Sequence, residues 1–378
     1  MRVLFSGGGT GGHISPALAM ADIIKMNIPD VEIAFVGTPK GIENSLIPQA
    51  GYKLYHVEIE GIRRSFTTEN IKAVYLAFSS PAKAKKIIKE FAPDIVIGTG
   101  GYVCWPALKA AADLKIPTVL HESNALPGMA VRRLQDKVDV VMTNFEATKE
   151  LLSPEANVVN VGNPLRAACN TVTKAEARKK LGIPESVEFV TLSFGGSLGA
   201  PELNRAACEM MSGFAHSKHK NIKCFHVGGK RYYESACKFF SAYDLERDDR
   251  FVLMEYTSDL PIYMAAADLV ICRAGAMTLT EIAKMGKAAI IIPSPNVVDN
   301  HQYKNAKALA DKDAAVVICE DELNVDGKCK VCEAAERILT DKEYRSMLEE
   351  NIKGFAKQDV EKVIFETICN LLNEYKKK

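Results

Sequence analysis

The chain has almost no excess charge, since 48 lysines and arginines stand against 47 aspartates and glutamates for a net +1. That balance gives no electrostatic footprint for nucleic acid, and no nucleic-acid partner is expected. No apolar run approaches the roughly 18 residues that a spanning helix needs. The opening Met1 to Ser6 passes straight into glycines, which leaves no h-region for a signal peptide, and a cytoplasmic protein is expected. Cysteines number ten but are scattered, and Cys224 and Cys272 sit inside apolar runs, which suits reduced, buried thiols better than a disulfide framework. Cys329 and Cys332 form a C-x-x-C with no second pair, only Cys319 lying near, so ordinary thiols and no zinc site are expected there.

What the chain does have is glycine after apolar runs. Five of the six residues from Gly7 to Gly12 are glycine, following Val3 to Ser6 and preceding a helical stretch with His13 in its first turn. Such a turn brings backbone amides close to a phosphate or a sugar. Gly7, Gly9 and Gly12 satisfy G-x-G-x-x-G, yet the next strand ends Val36-Gly37-Thr38 without the acidic residue that would hold a dinucleotide's ribose. A P-loop would need Lys and Ser or Thr where His13 and Ile14 stand. The loop resembles both nucleotide fingerprints and completes neither, which disfavours an NAD-dependent oxidoreductase.

With 378 residues, 47% hydrophobic and 25% charged, the chain has room for two domains. Short β-rich runs alternate with helical stretches at Val3–Ser6, Val31–Val36, Lys53–Ile59, Asp94–Ile97, Thr118–His121, Val138–Met142 and Val158–Val161. After Gly162-Asn163-Pro164 the rhythm restarts at Phe189–Phe194, Lys223–Val227, Phe251–Glu255, Leu269–Cys272, Ala289–Ile292 and Ala315–Ile318. This predicts an α/β protein of two doubly wound, Rossmann-like parallel-sheet domains facing a cleft, residues 1–164 and 165–355. Glycine turns recur at Gly98–Tyr102 and at Gly195–Gly199, and ligands of open α/β sheets bind beyond the carboxyl ends of the strands. Two glycine-lined walls suit two substrates.

Three local patterns have plain structural readings. Asp311-Lys312-Asp313 is a literal D-x-D, but it falls at a helix end and reads as a solvated turn, so no required cation is expected. Thr278 and Glu281 have the spacing of a capping box, which the residues alone favour over a ligand contact. Between Ile71 and Phe91, Tyr75, Leu76 and Phe78 accompany Lys83, Lys85, Lys86 and Lys89, which by itself reads as a pair of amphipathic helices with a solvated lysine face.

Taken in order, Gly8–His13, Gly98–Tyr102, His121-Glu122-Ser123-Asn124, Gly162–Arg166, Gly195–Ala200, Arg273–Glu281 and Asn300–Ala306 resemble the motifs of the bacterial peptidoglycan N-acetylglucosaminyltransferases along nearly the whole chain. The resemblance implies the GT-B architecture, with a C-terminal helix at about 356–378 packing back on the first domain. It implies a glycosyltransferase moving N-acetylglucosamine from UDP-N-acetylglucosamine to the C4 hydroxyl of the muramoyl sugar of lipid I, giving lipid II with inversion. No cofactor or metal is required on this reading. The expected partners are the UDP-sugar, the lipid acceptor, the inner face of the cytoplasmic membrane as a peripheral surface, and further cell-wall synthesis proteins. That membrane expectation also lifts the lysine-rich segment toward docking on an anionic bilayer.

Site residues follow from the same resemblance. His13 is the candidate general base, because an imidazole with an ordinary pKa of about 6.5 suits accepting a hydroxyl proton at neutral pH. Thr10, Gly11 and Gly12 line the substrate beside it, and Gly100, Gly101 and Tyr102 form a weaker acceptor-side set. Ser197 and the glycine amides around it hold the pyrophosphate with Arg166. Thr257 lies near the uracil, Ala276, Met277 and Thr278 beside the sugar nucleotide, and Glu281 on the ribose hydroxyls. Gln302 and Asn124 contact the transferred sugar. Some members have two glutamines where this chain has His301-Gln302, so only Gln302 is carried over, and Cys104-Trp105 replaces small residues. Rival readings are a UDP-N-acetylglucosamine 2-epimerase, which turns over sugar nucleotide alone, and a non-catalytic UDP-sugar-binding membrane module.

Overall fold

The computed structural model describes residues 1–61, 68–165 and 172–377, with side chains throughout except at 68, 69 and 298. It divides into two compact units, Met1–Arg166 with Lys357–Lys378, and Ala167–Ala356.

The first unit is one parallel sheet of β1 (Arg2–Ser6), β2 (Glu32–Gly37), β3 (Lys53–His56), β4 (Ile95–Gly98), β5 (Thr118–Glu122), β6 (Val140–Thr143) and β7 (Val158–Asn160). The strand order is β3-β2-β1-β4-β5-β6-β7. Its helices are α1 (Gly11–Asn27), α2 (Glu43–Gln49), α3 (Thr68–Phe91), α4 (Cys104–Asp113) and α5 (Met129–Leu134). Strands read as unbroken apolar runs because both faces are covered. Val3 and Phe5 join one core with Ile14 and Ile24, while Leu4, between them, joins the other with Leu108 and Ile88.

The second unit repeats the plan with β8 (Phe189–Phe194), β9 (Ile222–Val227), β10 (Phe251–Met254), β11 (Leu269–Cys272), β12 (Ala288–Ile291) and β13 (Val316–Val317), ordered β10-β9-β8-β11-β12-β13. Around the sheet lie α6 (Lys174–Lys180), α7 (Pro201–His216), α8 (Tyr233–Ala242), α9 (Leu260–Ala266), α10 (Ala276–Met285), α11 (His301–Ala310), α12 (Lys330–Thr340) and α13 (Lys342–Lys353). A short antiparallel hairpin, β14 (Asn324–Val325) and β15 (Lys328–Cys329), was not foreseen; each strand is two residues, too short for a period.

The last helix, α14 (Val360–Lys376), belongs to the first unit. Ile364, Ile368 and Leu371 form a stripe buried in the core around Val3 and Phe5, and Tyr375 Oη donates to Asp139 Oδ1 at 2.8 Å. Burying three such side chains is worth roughly 1.5–3 kcal/mol each, so the chain's end is part of the N-terminal domain's stability.

Three local expectations need correction. The segment to Phe91 is one helix, Thr68–Phe91, and not a pair. Leu76 is buried in it and cannot face a membrane, because it falls on the same side as buried Ala73, Ala84 and Ile88. Cys329 and Cys332 are joined as a disulfide rather than standing as free thiols. Cys329 caps α12 by accepting the Cys332 amide, and this helical turn leaves their Cα atoms 5.2 Å apart, within disulfide span.

Candidate active site

In both sheets the strand order reverses beside the first strand, between β1 and β4 and between β8 and β11. Open α/β sheets bind ligands at such switch points. Register fixes the two loops there, because Ser6 pairs with Gly98, and Phe194 with Cys272.

In the first unit the loops after β1 and β4 interlock around His13. Thr99 Oγ1 donates to the His13 carbonyl at 2.6 Å, and His13 Nδ1 lies 3.1 Å from the Thr99 carbonyl. A carbonyl only accepts, so Nδ1 carries the proton, and the neutral ring bears its lone pair on Nε2. Gly100 and Gly101 both have positive φ, and a Cβ at either would meet the imidazole, 2.7 Å from Nδ1 and 3.0 Å from Cδ2 respectively. These two glycines are therefore the seat of the histidine. Tyr102 likewise packs its ring against Gly9 and Gly61. Thr10 caps α1 in extended conformation and, with Gly11 and Gly12, is exposed at the helix N-terminus.

Two buried carboxylates support this region: Glu43, which carries no sequence signal, and Glu122, named only within the His121–Asn124 motif. Glu43, at the start of α2, accepts from the Gly9 amide at 3.2 Å. Glu122 accepts from the amides of Asn124 and Gly128 and from Asn124 Nδ2 at 3.0 Å, so part of the Asn124 side chain is committed to it. Burial pushes the Glu122 carboxyl above its ordinary range against those donors. Beside it, His121 is fully buried with Nε2 3.0 Å from the Gly162 carbonyl, and desolvation holds its pKa down to about 4. Arg166 lies outside the described residues.

In the second unit the loop after β8 exposes Gly196, Ser197 and Leu198 ahead of α7. It is held by the loop after β9, since Lys230 N donates to the Ser197 carbonyl at 3.2 Å and Arg231 N to the Leu198 carbonyl at 3.1 Å. Asn204 Nδ2 ties the same place through the Gly228 carbonyl at 2.9 Å. Gly228-Gly229-Lys230 was not read as functional, although a glycine pair directly after a strand was the available signal.

Thr257 follows β10 and takes the Asp259 amide on Oγ1 at 3.1 Å. The helix α10 begins at Ala276 with Gly275 as its cap, so Thr278 and Glu281 are interior residues and the capping-box reading is corrected. They stand three apart on one face, Thr278 in the first turn of α10 and Glu281 in the next, while Ala276 and Met277 are buried. Gln302, in the first turn of α11, is oriented by the Ser294 amide, which donates to its Oε1 at 2.9 Å. Asp311 pairs with Lys307 at the end of α11, as a solvated turn requires. Among the described residues no three His, Cys, Asp or Glu side chains converge as a metal site would need.

Two Rossmann-like domains, each with a switch-point site, make up the GT-B architecture. The chain belongs to glycosyltransferase family 28: the model of that family's N-terminal domain matches residues 3–143, and that of its C-terminal domain residues 190–364. A relative from Caldanaerobacter subterraneus, 39% identical over 97% of this chain and 99% of its own, is named UDP-N-acetylglucosamine–N-acetylmuramyl-(pentapeptide) pyrophosphoryl-undecaprenol N-acetylglucosamine transferase. One from Acetivibrio thermocellus with the same name is 38% identical over 98% of each chain. The crystal structure of Acinetobacter baumannii MurG superposes with a TM-score of 0.75 at 27% identity, covering 98% of this chain and 99% of its own. A Neisseria meningitidis UDP-GlcNAc 2-epimerase bound to UDP-GlcNAc shares the fold alone, at TM-score 0.68 and 15% identity over 98% and 100% of the chains.

Proposed function

We propose that this chain transfers N-acetylglucosamine from UDP-N-acetylglucosamine to the C4 hydroxyl of the N-acetylmuramyl sugar of a pyrophosphoryl-undecaprenol lipid, converting lipid I to lipid II. Full-length likeness to relatives named for that transfer carries the reading, and the switch-point geometry supports it. His13 Nε2 takes the proton of the acceptor hydroxyl as its oxygen attacks the anomeric carbon. The bond from that carbon to the UDP oxygen breaks, its electron pair leaves with UDP, and attack from the opposite face inverts the centre to a β linkage. Charge developing on the phosphates is met by the α7 N-terminus, the Ser197 hydroxyl and Arg166, so no cation is needed. Glu281 accepts the ribose hydroxyls, Thr257 stands near the uracil, and Gln302, fixed through Oε1, offers Nε2 to the sugar with Asn124 as a second contact. Labelled UDP-N-acetylglucosamine, lipid I and a chelator should together put label in the organic phase. Label appearing only when a divalent cation is restored would overturn the metal-free mechanism; sugar-nucleotide turnover without acceptor would favour the epimerase, and donor binding with no turnover the non-catalytic module.

The lipid acceptor calls for a membrane-facing surface, and α3 offers one. Ile71, Val74, Tyr75 and Phe78 are 72%, 43%, 69% and 83% exposed at helical spacing on one face. Lys85, Lys86 and Lys89 are exposed further along the helix, while Lys83 pairs with Glu58 at 3.2 Å. No helix among the described residues is long and apolar enough to cross a membrane, so the surface docks peripherally on an anionic bilayer. Removing both charges with K85Q and K86Q should weaken partitioning onto phosphatidylglycerol vesicles about thirtyfold. Cosedimentation independent of anionic lipid and of these lysines would sink the docking surface.

A further inference from the structure

In the second domain the loop after β9 is packed backbone to backbone against the loop after β8. Gly199 and Gly229 both have positive φ; a Cβ on Gly199 would come within 2.0 Å of the Gly228 carbonyl oxygen, and one on Gly229 within 2.1 Å of the Gly199 nitrogen. Only glycine permits that approach at either position, and the approach lets the Lys230 amide reach the Ser197 carbonyl at 3.2 Å. The Gly229 amide donates to the Glu255 carbonyl at 3.0 Å, which draws in the loop after β10 as well. Three loops at the carboxyl ends of β8, β9 and β10 thus form one wall, on which Ser197, Lys230 and Tyr256 are all exposed.

The Lys230 ammonium lies 4.5 Å over the centre of the Tyr256 ring, and the ring is half exposed. Among the described residues no carboxylate stands within ion-pair distance of this ammonium. A ring face attracts a cation without neutralising it, so a full positive charge is kept beside the glycine loop that precedes α7. The contact is weak where water reaches it, and the four-carbon stem is flexible, so the ammonium is free to turn toward an anion. We infer that Lys230 is a donor-binding residue: its ammonium leaves the Tyr256 ring and pairs with the diphosphate of the bound UDP-sugar, beside the Ser197 hydroxyl and the α7 N-terminus. It stays protonated throughout and acts as a charge, not as an acid. The close packing of Gly199 on Gly229 has its purpose in this placement, since it brings a side chain from one loop to the ligand of another.

The inference rests on the proposed donor site in the second domain, and calorimetry with UDP and with uridine separates the two. Lys230→Gln should weaken UDP binding about 10–100-fold, the worth of one hydrogen bond to a charged group, and leave uridine binding as in wild type. Lys230→Arg, which keeps the charge, should retain most of the UDP affinity. Lys238→Gln, which removes the same charge from the exposed face of α8, should change neither ligand. Wild-type UDP affinity in Lys230→Gln would overturn the role, and so would an equal loss of UDP and uridine, because a lysine that only shapes the loop does not tell them apart. Acylation of lysines in the native enzyme, read by mass spectrometry, tests the same contact without a variant: saturating UDP should protect Lys230 and saturating uridine should not. Equal labelling with and without UDP, or equal protection by uridine, would overturn it as well. If wild type binds no UDP, or Ser197→Ala and Glu281→Ala bind it as tightly as wild type, the donor-site reading has failed instead.

Discussion

His13→Ala should lower kcat by about 10²–10⁴-fold, the span over which a positioned general base contributes, while KM for UDP-N-acetylglucosamine scarcely moves. The split follows from where the groups reside. His13 stands at the N-terminus of α1 in the first domain, whereas most of the proposed donor contacts, Ser197, Glu281 and Gln302 among them, lie in the second. The Thr99 carbonyl fixes the proton on Nδ1, so Nε2 alone is the base. His13→Asn sharpens the test, because the asparagine amide can still donate to Thr99 but has no basic nitrogen. Both variants should lose turnover alike under single-turnover conditions with saturating donor and acceptor. An asparagine variant as fast as wild type would assign His13 to loop geometry and remove it from the chemistry.

Much of the fold was legible because parallel strands covered on both faces leave apolar runs that need no period to be recognised. All thirteen strands of the two sheets lie where such runs stand, with ends displaced by a few residues at Ile59, Asp94 and Val138. The sequence could not show strand order, which depends on crossover connections, nor a two-residue hairpin. The stripe Ile364, Ile368 and Leu371 was visible as a helix, but its burial against β1 became explicit only with the fold.

The candidate site was legible where chemistry coincides with glycine turns, and illegible where side chains act on one another. Gly100 and Gly101 could be seen as a turn, but their service to the His13 ring depends on a register that pairs Ser6 with Gly98. A ribose acid was sought at Thr38 and not found, yet Glu43 reaches the same loop from beyond the strand by a turn through Gly41. Thr278 and Glu281 carried a capping signature that Gly275 made redundant by capping the helix first. Tyr75 and Leu76 are adjacent in sequence, but helical geometry sends one outward and the other into the core.

Both domains should lose stability together as pH falls from about 6.5 to about 4. His121 in the first domain and His226 in the second are fully buried, and desolvation holds each pKa at about 4 against an unfolded value of 6.5. Desolvation disfavours a charged ring at both sites and outweighs the carbonyls that would favour one, Gly162 at His121 Nε2 and Ser193 at His226 Nδ1, while His226 Nε2 has no hydrogen-bond partner among the described residues. Between the two pKa values the unfolded chain binds protons that the folded chain refuses, so unfolding free energy rises with pH across that window and is fully present above it. Each histidine contributes about 3 kcal/mol. Glu122 works in the opposite sense, since its raised pKa favours the folded state as pH drops through the carboxylate range, and it offsets part of the loss in the first domain. Urea midpoints followed by domain-specific probes at pH 7, 5.5 and 4.5 should decline in both units, with the imidazole proton shifts of His121 and His226 still those of neutral rings at pH 5.5. Midpoints flat across that range, or either ring protonated in the folded protein at pH 5.5, would show that burial does not hold these histidines neutral.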